Sequence, residues 1–325
     1  MTASSAGRPA VSVPTSLLVG LAILTTLALL PPLSTFYGGS YLLSLVTKAM
    51  VLGVVAISLD LLIGHGGMVS FGHAAFFAIG AYVTGIALEE GVYNALTILL
   101  MVTVACAAFA LVTGAISLRT SGVYFIMITL AFGQMLFFTL TSLSAYGADD
   151  GLTLWNLAEF YGTGILSDKD AFFYVVLVTL AAVWLLVWRI SRSRFGRVLR
   201  AAKENPARVA AMGFDVFRFR LIAYVIAGVL AGIGGFLLAH RTEFISPTLS
   251  SWQTSGDLII IVILGGLGTR NGALIGALFF VLLEEFLSNI TQNWRLLFAP
   301  ILLCVVLFAK GGLTGLVTRW SGSRG

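Results

Sequence analysis

The chain is 325 residues long, 58% of them hydrophobic and 10% charged, against roughly 25% charged in a soluble globular protein, which excludes a soluble enzyme. The formal net charge of +5 comes from 19 Lys and Arg against 14 Asp and Glu, too small an excess for a nucleic-acid binder when most of the chain is apolar, so no nucleic-acid partner is expected and basic side chains should instead set topology. Cys106 and Cys304 fall inside apolar runs, where they act as small hydrophobes and supply neither a disulfide framework nor zinc ligands.

A hydrocarbon core of roughly 30 Å takes about 20 apolar residues per helix, and by that ruler ten spans are predicted: 17–33, 41–63, 68–87, 92–118, 123–141, 172–188, 221–238, 258–267, 273–287 and 296–308. The expected fold is all-α, a polytopic transmembrane helical bundle with some broken or short helices. The eighth and ninth segments are short and are separated by the turn Gly265-Gly266-Leu267-Gly268-Thr269-Arg270-Asn271-Gly272. They are predicted to form a broken or re-entrant pair, which puts the number of full crossings at eight to ten. No linker or charge block divides the chain, so a tail over 1–14 and one transmembrane domain over 15–325 are expected. The first span follows a lone Arg8 and ends in Pro31-Pro32 with no Ala-x-Ala site after it. It is therefore expected to be retained rather than cleaved as a signal peptide.

Early in the chain, residues 64–82 interrupt the apolar profile with glycines and polar side chains: Gly64, His65, Gly66, Gly67, Ser70, Gly72, His73 and Gly80. Non-helical backbone at membrane depth is tolerated only when buried in protein or lining a watery cavity. Two readings stand for this segment, a surface that faces a polar solute and a small-residue face for close helix packing. Gln134, with Thr129 nearby, puts an amide in mid-helix in the fifth span, where it must face other helices or a solute path. Gly67, Ser70, Gly72, His73, Thr129, Gln134, Gly265, Gly266 and Gly268 form the candidate solute pathway. Lys48, Asp60, Glu284 and Glu285 lie toward the ends of their spans and are expected at the interface rather than in a proton relay. His240 is expected at a polar loop end, and no metal site is expected from the three histidines.

The loop 189–220 carries nine basic residues against Glu204 and Asp215, which makes it cytoplasmic by the positive-inside rule. Residues 144–170 carry Asp149, Asp150, Glu159, Asp168 and Asp170 against Lys169 and should face outside. With ten spans both termini fall inside, in agreement with Arg8, Lys310, Arg319 and Arg324. Within the basic loop, residues 197–213 have high helix propensity on either side of Pro206, with Gly213 as a stop. This amphipathic segment suits either a partner's groove or an anionic lipid surface. No G-x-x-x-x-G-K-[ST], H-E-x-x-H, G-x-S-x-G or C-x-x-C occurs, so neither a P-loop nor a familiar catalytic site is present. Intramembrane ion pairs, expected of a secondary transporter, are not evident in the pattern.

Residues 64–82, the stretch Leu118-Arg-Thr-Ser-Gly-Val-Tyr-Phe-Ile-Met-Ile-Thr-Leu-Ala-Phe-Gly-Gln134, the loop Gly147-Ala148-Asp149-Asp150-Gly151-Leu152-Thr153, the loop 197–213 and the turn 262–272 together resemble the LivM-type permease subunit of branched-chain amino-acid ABC transporters, over about 41–310. The resemblance implies a non-enzymatic, multi-pass permease of the inner membrane. Its implied partners are a LivH-like permease, two cytoplasmic ATPase subunits that hold ATP and Mg, an external solute-binding protein and membrane lipid, with no cofactor in this chain. It also implies that Glu204, Ala207, Ala210, Ala211 and Gly213 couple to the ATPase, although Asn205-Pro206 follows Glu204 where the importer pattern has Glu-Ala-Ala. Family members often carry Asn where Asp60 stands. A urea or short-chain amide permease is the alternative within the family.

Overall fold

The computed structural model describes residues 15–32, 40–160, 162–291, 293–308 and 311–315. The predicted tail, with Arg8, and the terminal Lys310, Arg319 and Arg324 lie outside them. Ten apolar helices stand over the ten predicted spans: α1 (Thr15–Ala28), α2 (Ser40–Asp60), α3 (His73–Glu89), α4 (Ala95–Ser117), α5 (Val123–Thr141), α6 (Lys169–Arg192), α9 (Val216–Thr242), α10 (Trp252–Gly265), α11 (Gly272–Ser288) and α12 (Trp294–Phe308). Between α6 and α9 lie two short helices, α7 (Arg194–Glu204) and α8 (Pro206–Ala211). By length and composition α2, α4, α5, α6 and α9 can each cross a membrane alone; the others are shorter and depend on their neighbours.

Short polar side chains start many of these helices. Asn94, Asp168, Ser193, Asn205, Asp215 and Ser251 each accept a backbone N–H of the first turn, which satisfies donors that have no partner within the helix. Asn205 breaks the basic segment into two helices because its backbone is extended, as the residue before a proline must be.

The core is built from α2, α3 and α9, whose contact depends on missing side chains. A Cβ on Gly80 would strike the carbonyl oxygen of Gly232, and one on Gly235 would strike that of Phe77, so α3 and α9 meet backbone to backbone. Of the two readings for residues 64–82, close packing therefore accounts for Gly80. Cβ atoms on Gly265 and Gly276 would likewise strike Gly272 and Ile261 carbonyls, which makes α10 and α11 a tight hairpin. In contrast, α4 and α5 leave Leu100, Val104, Val112, Met127, Met135 and Phe138 exposed, an apolar surface suited to lipid or to another membrane helix.

Charge separates the two ends of the bundle. One end carries Asp149, Asp150, Asp168, Asp170 and the pair of strands β1 (Leu152–Thr153) and β2 (Phe244–Ile245), antiparallel with Leu152 opposite Ile245. Here the Tyr146 hydroxyl donates to Glu90 at 3.1 Å, which holds its pKa above the ordinary tyrosine value. The other end carries α7, α8 and the basic residues around them. Two segments enter the bundle without α-helix, at 66–72 and at 246–251, the second holding a 3-10 turn. Both segments end against α5: the Phe71 N–H donates to Thr129 Oγ1 at 3.2 Å and Ser250 Oγ donates to the Gly133 carbonyl at 3.3 Å. They are joined where the Ala74 N–H donates to Ser255 Oγ at 3.2 Å. The Phe71 and Ala74 bonds satisfy backbone N–H groups that lack a helical partner, as burial in an apolar medium requires.

Two expectations change here. Lys48 does not stay at an interface alone but pairs with Glu284 of α11 at 2.8 Å, while Tyr41 donates to Glu285. His240 is buried rather than at a loop end; its Nε2 accepts the Ala158 N–H at 3.2 Å, and Nδ1 lies 2.8 Å from the Phe236 carbonyl.

Candidate functional site

At the basic end three separately singled-out segments meet. α2 runs into one π-helical turn, Leu61–His65, and Asp60, only 4% exposed, places Oδ1 2.8 Å from the Gly268 N–H. Asp60, expected at the interface, is buried at the basic end of the bundle, with its partner in the glycine-rich turn between α10 and α11. A Cβ on Gly64 would strike both Asp60 Oδ1 and the Gly268 backbone, so that approach requires glycine. Gly268 itself has φ +67°, a left-handed conformation that glycine adopts without cost.

The third segment is α7. Its Leu199 and Ala202 are fully buried, and Lys203 reaches across to donate from Nζ to the Gly64 carbonyl at 2.8 Å. Arg220 of α9 donates to the Ala202 carbonyl at 3.0 Å, and Arg200 donates to the Ser191 carbonyl at 2.8 Å. α7 is thus fastened to α2, α6 and α9. Beyond Asn205, α8 keeps only Val209 buried, while Glu204, Ala207, Ala210, Ala211, Met212 and Gly213 are exposed. Gly213 closes the segment at φ +87°.

The inward part of the site is polar and closed. His73 Nε2 lies 2.8 Å from Ser58 Oγ, and Ser70, His73 and Thr129 are buried. Among the described residues His73 Nδ1 has no hydrogen-bond partner. A Cβ on Gly72 would strike the Thr129 carbonyl, so the start of α3 lies directly on α5.

The family described as branched-chain amino acid transport system, permease component, matches residues 41–307. The chain belongs to this permease family. Among curated relatives, it is 26% identical to the high-affinity branched-chain amino acid transport system permease protein LivM of Salmonella typhimurium, over 82% of this chain and 68% of that one. It is 25% identical to the corresponding protein BraD of Pseudomonas aeruginosa, over 83% of this chain and 93% of that one. A probable LivH of Methanocaldococcus jannaschii is 33% identical over 44% of the chain and 46% of its own length. No solved structure matches the chain.

In this permease, the predicted pathway residues divide into two groups. Gly67, Gly265, Gly266 and Gly268 gather at the basic end around the Asp60 link, whereas Ser70, Gly72, His73 and Thr129 lie in the interior between α3 and α5. Gln134 stands half-buried on α5, one residue beyond the Gly133 that receives Ser250. The residues implied for coupling all fall on the exposed turn formed by α8 and its flanks. Sequence reasoning missed Lys203 as a fastening residue; the only signal was a lysine at the end of a basic amphipathic helix, which usually marks a solvated face.

Proposed function

We propose that the permease forms half of the solute pathway of an ABC importer for branched-chain or related amino acids. In this reading it sits in the inner membrane with its basic end and both termini cytoplasmic. A LivH-like permease supplies the other half, two ATPase subunits supply ATP and Mg chemistry, and an external binding protein delivers the solute. The naming of the relatives as branched-chain amino acid transport permeases and the absence of a P-loop from the sequence support this assignment.

The observation that carries the mechanism is the rigid connection from exposed to buried elements: α8 is free to dock, α7 is packed, and Lys203 bonds to the π-helical turn below α2. Closure of an ATPase dimer around α8 would push α7, and α7 would carry the turn at 64–67 and the Gly268 loop with it. The partner's preference for one arrangement then shifts the population between inward-open and outward-open states. In this reading Glu204, Ala207, Ala210, Ala211 and Gly213 form the docking surface. Thr129 and Gln134 on α5, with Ser70, Gly72 and His73 behind them, border the path, and Gly67, Gly265, Gly266 and Gly268 form its movable foot.

The test uses the assembled importer. Ala211→Trp adds bulk to the docking turn and is expected to abolish most solute-stimulated ATP turnover while the complex stays folded; Arg208→Gln, which removes charge from the same helix, should do much less. The reverse order would assign α8 to the lipid surface and defeat the coupling reading.

A further inference from the structure

A cavity lies at the basic end, beside the Asp60–Gly268 link. It holds about 150 Å³ and is lined by Trp184, Trp188, Arg192, Arg200 and Arg270, with Asp60 and His65. The Arg270 guanidinium lies 4.1 Å from the Trp188 ring centroid and 4.6 Å from that of Trp184, and the Arg192 guanidinium lies 5.0 Å from Trp188. Two cations therefore share one indole. Among the described residues neither they nor Arg200 form an ion pair with a carboxylate. Asp60 has Oδ1 engaged by Gly268, so the lining keeps a positive excess.

Its donors are also unmatched. Among the described residues, Nε, Nη1 and Nη2 of Arg270 and Nε1 of Trp188 are buried with no hydrogen-bond partner. Buried donors left unpaired are costly, and a guanidinium carries five N–H groups in a fork that fits oxyanions. A cavity of about 150 Å³ has room for a tetrahedral oxyanion.

We propose that this cavity binds a phosphate anion, supplied in the membrane by the headgroup of an acidic phospholipid. Trp184 and Trp188 lie in the last turns of a spanning helix that ends in Arg189 and Arg192, the depth at which indoles meet headgroups. Basic pockets between transmembrane helices hold anionic headgroups by the same chemistry.

The test is binding to the full chain in its purified complex, delipidated and followed by native mass spectrometry and by thermal midpoint. One arm adds phosphatidylglycerol against phosphatidylcholine; the other adds inorganic phosphate against chloride at constant ionic strength. Phosphatidylglycerol should be retained preferentially, and Arg270→Gln should weaken it about tenfold or more, as expected for loss of a charge-assisted partner. Arg192→Gln carries the same test should Arg270→Gln fail to fold. Arg218→Gln, which removes an exposed guanidinium paired with Asp215, should bind like the parent. Stabilisation by inorganic phosphate alone, lost in Arg192→Gln, would keep the site and assign it to the free ion. Equal retention of both lipids with no phosphate effect, or equal loss in Arg218→Gln, would overturn the proposal. Transport is not measured, so failure here leaves the importer reading intact.

Discussion

Asp60 Oδ1 accepts the Gly268 N–H at 2.8 Å across 208 residues of sequence, joining the foot of α2 to the turn between α10 and α11. Because the tie is made through a carboxylate oxygen, an amide oxygen can make it too. This gives a physical reason why Asn would serve in place of Asp60. The charge is dispensable to the bond, and the acceptor is not.

Asp60→Asn is accordingly expected to keep the thermal midpoint of the detergent-solubilised complex near the parent value. Asp60→Leu removes the acceptor of the Gly268 N–H and should cost about 0.5–1.5 kcal/mol. Equal midpoints for the two variants would show that the bond contributes nothing.

Gly80→Ala should be severely destabilising, because the added methyl meets the Gly232 carbonyl oxygen and backbone cannot yield as a side chain does. Overpacking of this kind costs about 1–3 kcal/mol or more. Gly256→Ala is the matched control: it lies in α10 with nothing within 4 Å of the added carbon, so helix propensity should leave stability unchanged or raised by up to about 1 kcal/mol. Expression level and thermal midpoint of both variants decide the point.

The helices were legible because each apolar run is local information. α5 at Val123–Thr141 coincides with its predicted segment, and the break at Asn205-Pro206 follows from proline geometry. What could not be read was any feature made by distant partners. Lys48 finds Glu284 across 236 positions and Asp60 finds Gly268 across 208, and neither pairing leaves a mark in local periodicity. α10 begins at Trp252, six residues before the predicted span, because Ser251 caps it after a 3-10 turn (Pro247–Ser250) that is seated on Gly133. The glycines of 64–82 stand out in the sequence, but only the structure separates Gly80, which packs on α9, from Gly64, which makes room for Gly268.

Lys203→Met should weaken the link between α7 and the turn at 64–67. The Nζ bond to Gly64 is lost, although the methionine retains the apolar stem that packs on Gly67. A half-exposed charge-assisted bond is worth up to roughly 1.5 kcal/mol, so solute-stimulated ATP turnover of the importer should fall about threefold to tenfold. Arg208→Gln should change it little. Full turnover in Lys203→Met would remove this lysine from the coupling route.

The opposite charge bias of the two ends of α6 predicts a direction for the whole bundle. Arg189 and Arg192 close that helix while Asp168 and Asp170 open it, and positive charge is retained on the cytoplasmic side. Single cysteines in place of Asp150 and Ala207, both exposed, report on the two ends separately. The background needs only Cys304 replaced, because Cys304 is exposed whereas Cys106 is buried. A membrane-impermeant maleimide added to intact cells should label Asp150→Cys and leave Ala207→Cys unmodified until the membrane is opened. Labelling of Ala207→Cys from outside would invert the bundle, place α8 away from any cytoplasmic ATPase, and remove the coupling mechanism together with the orientation.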